Sequence, residues 1–126
     1  MKDLEKARLA QARESLDEAQ ALLDAGMDTG RVLTNLYYAF YYPVLALLNE
    51  GRVPETMQSV TLGLFERQYI ATGAFKQGYG DALRRVFDIK PTCSGETTPV
   101  TRAEVDGLMA LARSFQTDVE DHIAGK

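Results

Sequence analysis

The sequence predicts an all-α protein, an antiparallel bundle of four to five helices that forms one domain over residues 1–126. Apolar residues recur at alternating steps of three and four in several segments, the spacing of one helical face. A central segment is apolar all round, as expected of a helix enclosed by others. No segment keeps the alternation typical of a strand. A chain of 126 residues is long enough to bury one continuous core.

The first and last segments are predicted to be outer helices that pack around a central pair. The first runs from about Asp3 to Ala25, and Gly26 is suited to cap its C-terminus. The last opens with a capping-box pattern, in which Thr101 accepts from a backbone N–H and Glu104 reaches back to the helix start. Their predicted inward faces are Leu9, Ala12, Leu16, Ala19 and Leu23 in the first helix, and Val105, Leu108, Ala112, Phe115 and Val119 in the last.

The central segment begins near Asp28 or Thr29, either of which can cap a helix, and ends at Gly51. Pro43 lies inside it and has no N–H to donate to the carbonyl of Ala39. We therefore expect a kink between these two residues. Two helices meeting at Tyr42 are the alternative, but the apolar pattern continues unbroken to Leu48 and favours one kinked helix.

Two shorter helices are predicted between the central segment and the last. The third segment spans roughly Glu55 to Ala71, and the fourth about Tyr79 to Ile89, followed by a polar loop. Neighbouring apolar stripes are expected in the third at Met57, Val60 and Leu64 and at Thr61, Phe65 and Tyr69, and inward residues in the fourth at Leu83, Val86 and Phe87.

Composition excludes several classes of function. The formal net charge of −4 argues against a broad electropositive surface for nucleic acid, although a local basic site remains open. Cys93 is the one cysteine, so no intrachain disulfide forms, and a reducing cytoplasm is the expected compartment. The charged N-terminal stretch is unlike a signal peptide, and no apolar run reaches the length of a membrane span.

The aromatic run Tyr37-Tyr38-Ala39-Phe40-Tyr41-Tyr42 is the most distinctive feature of the sequence. Its main expected role is core packing, with hydroxyl groups reaching partners at the rim. Four tyrosines do not fit on one narrow face, so we also expect at least one pair to meet a ligand or a second copy of the chain. The amide of Asn35 is costly to bury unpaired, so it is either hydrogen-bonded inside the bundle or lines a polar cleft.

The order of these features resembles HEPN domains (higher eukaryotes and prokaryotes nucleotide-binding). The matching residues are Ala12-Arg13-Glu14-Ser15-Leu16 and Ala19-Gln20-Ala21-Leu22-Leu23, then Asn35-Leu36-Tyr37-Tyr38-Ala39-Phe40-Tyr41 with Ala46-Leu47-Leu48, and finally the stretch from Phe65 to Gly73. The resemblance implies a bundle of four or five helices that is usually dimeric. It also implies a minimal nucleotidyltransferase partner, as in toxin–antitoxin or related two-part systems.

Active HEPN proteins are metal-independent ribonucleases with an Arg-x(4–6)-His motif, and here this sequence departs from the family. Lys90 stands where the Arg is expected, and Ser94-Gly95 stands where some members have Asp-Tyr. Arg84 and Arg85 lie upstream without a histidine at the required spacing. The single histidine, His122, is near the C-terminus, where a favourable interaction with the helix dipole is its simplest role.

Three hypotheses follow. The first is a non-enzymatic HEPN-like module that dimerises and binds a nucleotidyltransferase, a nucleotide or RNA. The second is a ribonuclease toxin with a variant site built from Arg84, Arg85 or Lys90 with Thr92 or a tyrosine; the third is a helical bundle with an unrelated role. Candidate ligand or RNA-binding residues are Asn35, Tyr38, Arg84, Arg85 and Lys90. No catalytic residue is expected, because the Arg-x(4–6)-His motif is missing. No metal site or cofactor is expected either, because no Glu-x-x-His pair and no phosphate-binding glycine motif occurs.

Overall fold

A computed structural model of the protein describes residues 3–26, 29–48, 59–89 and 100–125. These residues form five α-helices and no strand, which confirms the all-α prediction. The helices are α1 (Asp3–Asp24), α2 (Thr29–Leu48), α3 (Ser59–Phe65), α4 (Gln77–Ile89) and α5 (Arg102–Ala124), and a π-helical turn (Glu66–Ile70) follows α3 directly.

The predicted inward faces of the outer helices are confirmed, because every residue named for α1 and α5 is buried. The two helices run in opposite directions, as two pairs of residues show: Arg13, at the middle of α1, pairs with Glu120 near the end of α5. Further along, Gln20 of α1 accepts a hydrogen bond from Arg113 of α5. Gly26 adopts a φ of 75° after α1 and donates its N–H to Leu23, as a C-terminal capping glycine does.

Helix α2 is the buried centre of the bundle, and the core role predicted for its aromatic run is confirmed. Tyr37, Phe40 and Tyr41 are each at most 1% exposed. The ring of Phe40 stacks on Phe115 of α5, with centroids 5.9 Å apart. Burial raises the pKa of the Tyr37 hydroxyl, and the neighbouring Tyr41 and Tyr38 raise it further. This hydroxyl is therefore neutral at any physiological pH.

A glutamine from α5 donates the hydrogen bond that Pro43 cannot donate within α2. Helix α2 continues as one helix across Pro43, as the unbroken apolar pattern favoured. Because Pro43 has no N–H, the carbonyl of Ala39 has no backbone donor four residues later. The side chain of Gln116, only 5% exposed, donates one N–H to the Ala39 carbonyl at 3.1 Å. Its second N–H goes to the carbonyl of Ala12 in α1, at 3.0 Å. One amide group thus joins three helices.

The π-helical turn after α3 redirects the chain and returns an aromatic side chain to the core. The N–H of Ala71 bonds the carbonyl of Glu66 at 2.8 Å, the five-residue spacing of a π-turn. Gly73 follows at a φ of 80°, and the N–H of Phe75 then bonds the carbonyl of Tyr69 at 2.9 Å. Phe75 becomes 6% exposed. The hydroxyl of Tyr69 donates to the carbonyl of Leu47, which satisfies a C-terminal carbonyl of α2.

Two local predictions are wrong in part. The stripe that included Val60 does not face inward, because Val60 is 69% exposed while Leu62 is buried. The capping box at α5 forms only one of its two bonds: Thr101 accepts from the N–H of Glu104 at 3.1 Å, but the Glu104 carboxylate binds Arg85 instead of returning to the helix start. Met57 and Asp28 lie outside the described residues, so their predicted roles remain predictions.

Replacing Gln116 by leucine should destabilise the protein. The substitution leaves the Ala39 carbonyl buried without a donor, and we expect the free energy of unfolding to fall by about 1–3 kcal/mol. Urea denaturation followed by circular dichroism at 222 nm measures the change.

The matched control is Pro43→Ala, which restores a backbone N–H opposite the Ala39 carbonyl. In the double variant the loss caused by Gln116→Leu should be smaller than in the wild-type background, since Ala39 then has another donor. Purely additive losses in this double-mutant cycle would show that the Ala39 bond is not what Gln116 contributes.

Candidate functional site

Arg85 is held by α5 rather than left available to a ligand. Its Nε and one terminal nitrogen donate to the two carboxylate oxygens of Glu104 at 2.7 and 2.9 Å, a bidentate geometry. This hydrogen bonding raises the pKa of the Arg85 guanidinium and lowers the pKa of the Glu104 carboxyl. Each side chain is about one-third exposed. The pair fastens α4 to the first turn of α5.

Arg84 makes a different and more exposed ion pair. Its guanidinium donates to Glu66 of the π-helical turn at 2.5 Å, and the Arg84 side chain is 58% exposed. The two adjacent arginines therefore bind two different elements of the fold. They do not converge on a common phosphate position.

Asn35 and Tyr38, the other candidates on described elements, are both half-buried on α2. The amide of Asn35 donates to the carbonyl of Arg31 one turn earlier, at 3.4 Å, so its hydrogen bond is satisfied locally within the helix. The ring of Tyr38 stacks on Tyr42, with centroids 5.6 Å apart and planes inclined by 29°. These residues form a half-exposed aromatic and amide stripe along α2, whereas the two arginines lie on α4.

The fifth candidate and the predicted loop around it lie outside the described residues. This applies to Lys90, and equally to Thr92, Cys93 and the Ser94-Gly95 pair. Their predicted roles stay predictions.

His122 lies in a recess that the sequence alone did not suggest. Its ring packs against Phe75 and Tyr69, with centroids 5.3 and 5.7 Å apart. The recess has a volume of about 420 Å³ and is also lined by Ala74, Lys76, Asp118 and Asp121. Within the part of the chain that the structure describes, no group of three His, Cys, Asp or Glu side chains is placed to hold a metal ion.

A buried tyrosine fixes one wall of this recess. The hydroxyl of Tyr79 donates to the carboxylate of Asp118 and lies 2.5 Å from the hydroxyl oxygen of Ser114. Burial, followed by the hydrogen bond to Asp118, raises the pKa of Tyr79. The Lys76 ammonium lies 4.8 Å from the centroid of the Tyr79 ring. The four-residue spacing of Ser114, Asp118 and His122 on α5 is the signal that could have indicated this cluster from the sequence.

The recess and the arginine pair are far apart. Glu104, which binds Arg85, and His122 lie near opposite ends of α5. The separation of 18 positions along the helix corresponds to about 27 Å along its axis. Within one molecule, the single histidine and Arg85 therefore cannot act on the same phosphodiester.

Comparison with known proteins gives a distant relative. The chain is 29% identical over 110 residues to a UPF0332 protein of Thermotoga maritima, an alignment that covers 86% of this chain and 83% of the relative. No family model matches the chain. No solved structure matches it either. The similarity points to a small helical family, and the relative's name states neither an activity nor a ligand.

None of the described helices is long and apolar enough to span a membrane.

Replacing Arg85 by glutamine should cost stability at neutral pH and cost less in acid. The pKa of Glu104 is lower in the folded protein than its ordinary value of 4.5, so the pair stabilises the fold above that pH. The contribution is lost as the pH falls below 4.5 through the lowered folded-state value. For a pair this exposed we expect about 1 kcal/mol at most. Urea denaturation at pH 7 and pH 3 measures the difference.

Arg84→Gln is the matched control, because it removes the same charge from the neighbouring residue. Its pair with Glu66 is more exposed, so the loss of stability at pH 7 should be the smaller of the two. An Arg85→Gln loss that is equal at both pH values would contradict the assignment to Glu104.

Proposed function

We propose that this chain is a non-catalytic HEPN-like module that forms a homodimer and binds a nucleotidyltransferase partner, a nucleotide or RNA. The resemblance in sequence order suggests the family, and the five-helix architecture is compatible with it. The proposal that the module is non-catalytic rests on the placement of its charged groups.

The separation of His122 from Arg85 is the observation that carries this proposal. Cleavage of RNA requires a group that removes the proton of a 2′-hydroxyl close to a cation that stabilises the phosphate. Histidine suits proton transfer at neutral pH, but His122 is about 27 Å from the Arg85–Glu104 pair along α5. Both arginines of α4 also have carboxylate partners. His122 and the Arg85 guanidinium are thus not combined at one site within one molecule.

A protein partner fits the charge of the chain better than extended nucleic acid does. The net charge of −4 opposes non-specific attraction to phosphates, so any RNA bound needs a local basic site. A minimal nucleotidyltransferase encoded beside this gene would be the expected partner. Co-purification of the two untagged chains through a tag on one of them tests that association directly.

The purified protein should have no substantial ribonuclease activity. General acid–base catalysis typically contributes about 10²–10⁴-fold, and this chain lacks the positioned histidine that would supply it. The assay is incubation with structured and unstructured RNA, followed by gel electrophoresis. Binding without cleavage, weakened by salt, is the expected result if RNA is a ligand at all.

The control for that assay is the double variant Lys90→Ala, Arg85→Ala. Cleavage by the wild type that disappears in this variant would replace the proposal with the alternative, a metal-independent endoribonuclease with a variant active site. Cleavage that persists in the variant would point to a contaminating nuclease, which a second purification step removes.

The chain should be a dimer in solution, with the Tyr38–Tyr42 stripe of α2 in the interface. The two stacked rings are half-buried while the rest of the aromatic run is enclosed. Replacing Tyr42 by aspartate places a charge in that interface and should produce monomers at micromolar concentration. Light scattering coupled to gel filtration measures the mass.

Val60→Asp is the matched control. Val60 is a large hydrophobic residue in the described part of the chain, and it is 69% exposed. The substitution should leave the dimer intact. A wild type that is monomeric at micromolar concentration would rule out the dimer, and dissociation by Val60→Asp alone would place the interface on α3.

A further inference from the structure

A trough lies on the seam between α1 and α5, away from every candidate residue considered above. Its volume is about 270 Å³. Leu16, Gln116, Asp17, Thr117, Arg13 and Arg113 line it. Leu16 and Gln116 are buried and form the floor, whereas Arg13, Asp17, Arg113 and Thr117 are exposed along the walls.

Two arginine bridges close the trough at its ends. At one end Arg13 of α1 pairs with Glu120 of α5. At the other end Arg113 of α5 donates to the side-chain oxygen of Gln20 on α1, at 2.6 Å. The bridges are seven residues apart on each helix, or about 10 Å. A ligand in the trough must therefore be small.

The floor of the trough presents a fixed acceptor. Both N–H groups of the Gln116 amide are used by the carbonyls of Ala12 and Ala39, and two carbonyl partners fix which way the amide faces. The Gln116 oxygen accepts no hydrogen bond from the described residues. It is not fully enclosed by protein atoms either. Gln116 lines the trough and is 95% buried, and its side-chain oxygen has no hydrogen-bond donor among the described residues.

The charges around this acceptor have opposite signs at short spacing. Arg113 is bonded to the neutral amide of Gln20, so its positive charge is not offset there, whereas the charge of Arg13 is offset by Glu120. Asp17 forms no ion pair with the described side chains. The trough therefore offers a cation, an anion and a neutral acceptor within about two helical turns.

We propose that the trough binds a small zwitterion of the α-amino-acid type. The planar guanidinium of Arg113 matches a carboxylate, which it can hold through two N–H groups. The ligand's ammonium group, with three donors, satisfies the Gln116 oxygen and the Asp17 carboxylate. No aromatic side chain is among the described residues that line the trough, so these residues lack the stacking surface that a nucleobase prefers. This inference is independent of the function proposed above.

The experiment is a titration followed by nuclear magnetic resonance, observed at the side-chain amide of Gln116. The probes are glycine, L-leucine, L-glutamate and L-lysine, one of each side-chain class. L-Alaninamide, which lacks the carboxylate, and N-acetylglycine, which lacks the ammonium group, are the matched controls. At least one amino acid should shift the Gln116 resonances to saturation, and neither control compound should do so.

Variants then assign the two charges. Arg113→Gln and Asp17→Asn should each weaken binding about tenfold or more, because each removes a charged hydrogen-bond partner. Both residues are exposed, so the fold should tolerate the changes. Arg102→Gln and Asp106→Asn remove the same charges from an exposed pair elsewhere on α5 and should leave the affinity unchanged.

Three results would overturn the inference. Absence of any saturable shift at Gln116 with all four amino acids rules out the ligand class. Equal binding of N-acetylglycine makes the trough a simple anion site. Equal loss of affinity in the Arg102 and Asp106 controls shows that the effect comes from net charge and not from the trough.

Discussion

The structure depends on one amide group that compensates for a proline. Pro43 leaves the carbonyl of Ala39 without its helical donor in the most buried helix of the bundle. Gln116 supplies that donor from α5, and its second N–H reaches Ala12 in α1. The register of α1, α2 and α5 is thereby fixed at one point. The same residue lines the trough between α1 and α5, so one side chain serves both the packing of the bundle and this part of its surface.

The sequence predicted the helices well where a single residue or a single apolar face determines the local structure. The apolar faces of α1 and α5, the cap at Thr101 and the single helix across Pro43 follow from local spacing and local hydrogen bonding. The error at the capping box comes from long-range competition. Glu104 is suited to a capping box, but a bidentate partner on α4 outweighs the bond to its own helix start. The π-helical turn, which has no sequence signature, shifts the face on which the aromatic residues around Phe65 and Phe75 lie.

The candidate site was less predictable, because residues that are neighbours in the sequence can point their side chains in different directions. Arg84 and Arg85 are neighbours in sequence, yet helical geometry points them to Glu66 and to Glu104 on different elements. The spacing of His122 relates it only to residues of its own helix, whereas Phe75 and Tyr69 reach it from a turn that the sequence did not reveal. The trough was equally hidden: its two walls are about 100 residues apart in the chain.

The π-helical turn also affects how related sequences should be aligned. A π-turn holds one residue more than the α-helical turn it replaces, and that residue rotates everything after it by about 100° around the helix axis. Tyr69 lies within this turn and bonds the end of α2, and Phe75, which follows Gly73, returns to the core. A relative that lacks the turn would be one residue shorter between positions 66 and 70. Its gap belongs there, inside a helix, and not in the nearest loop where alignment rules normally place it.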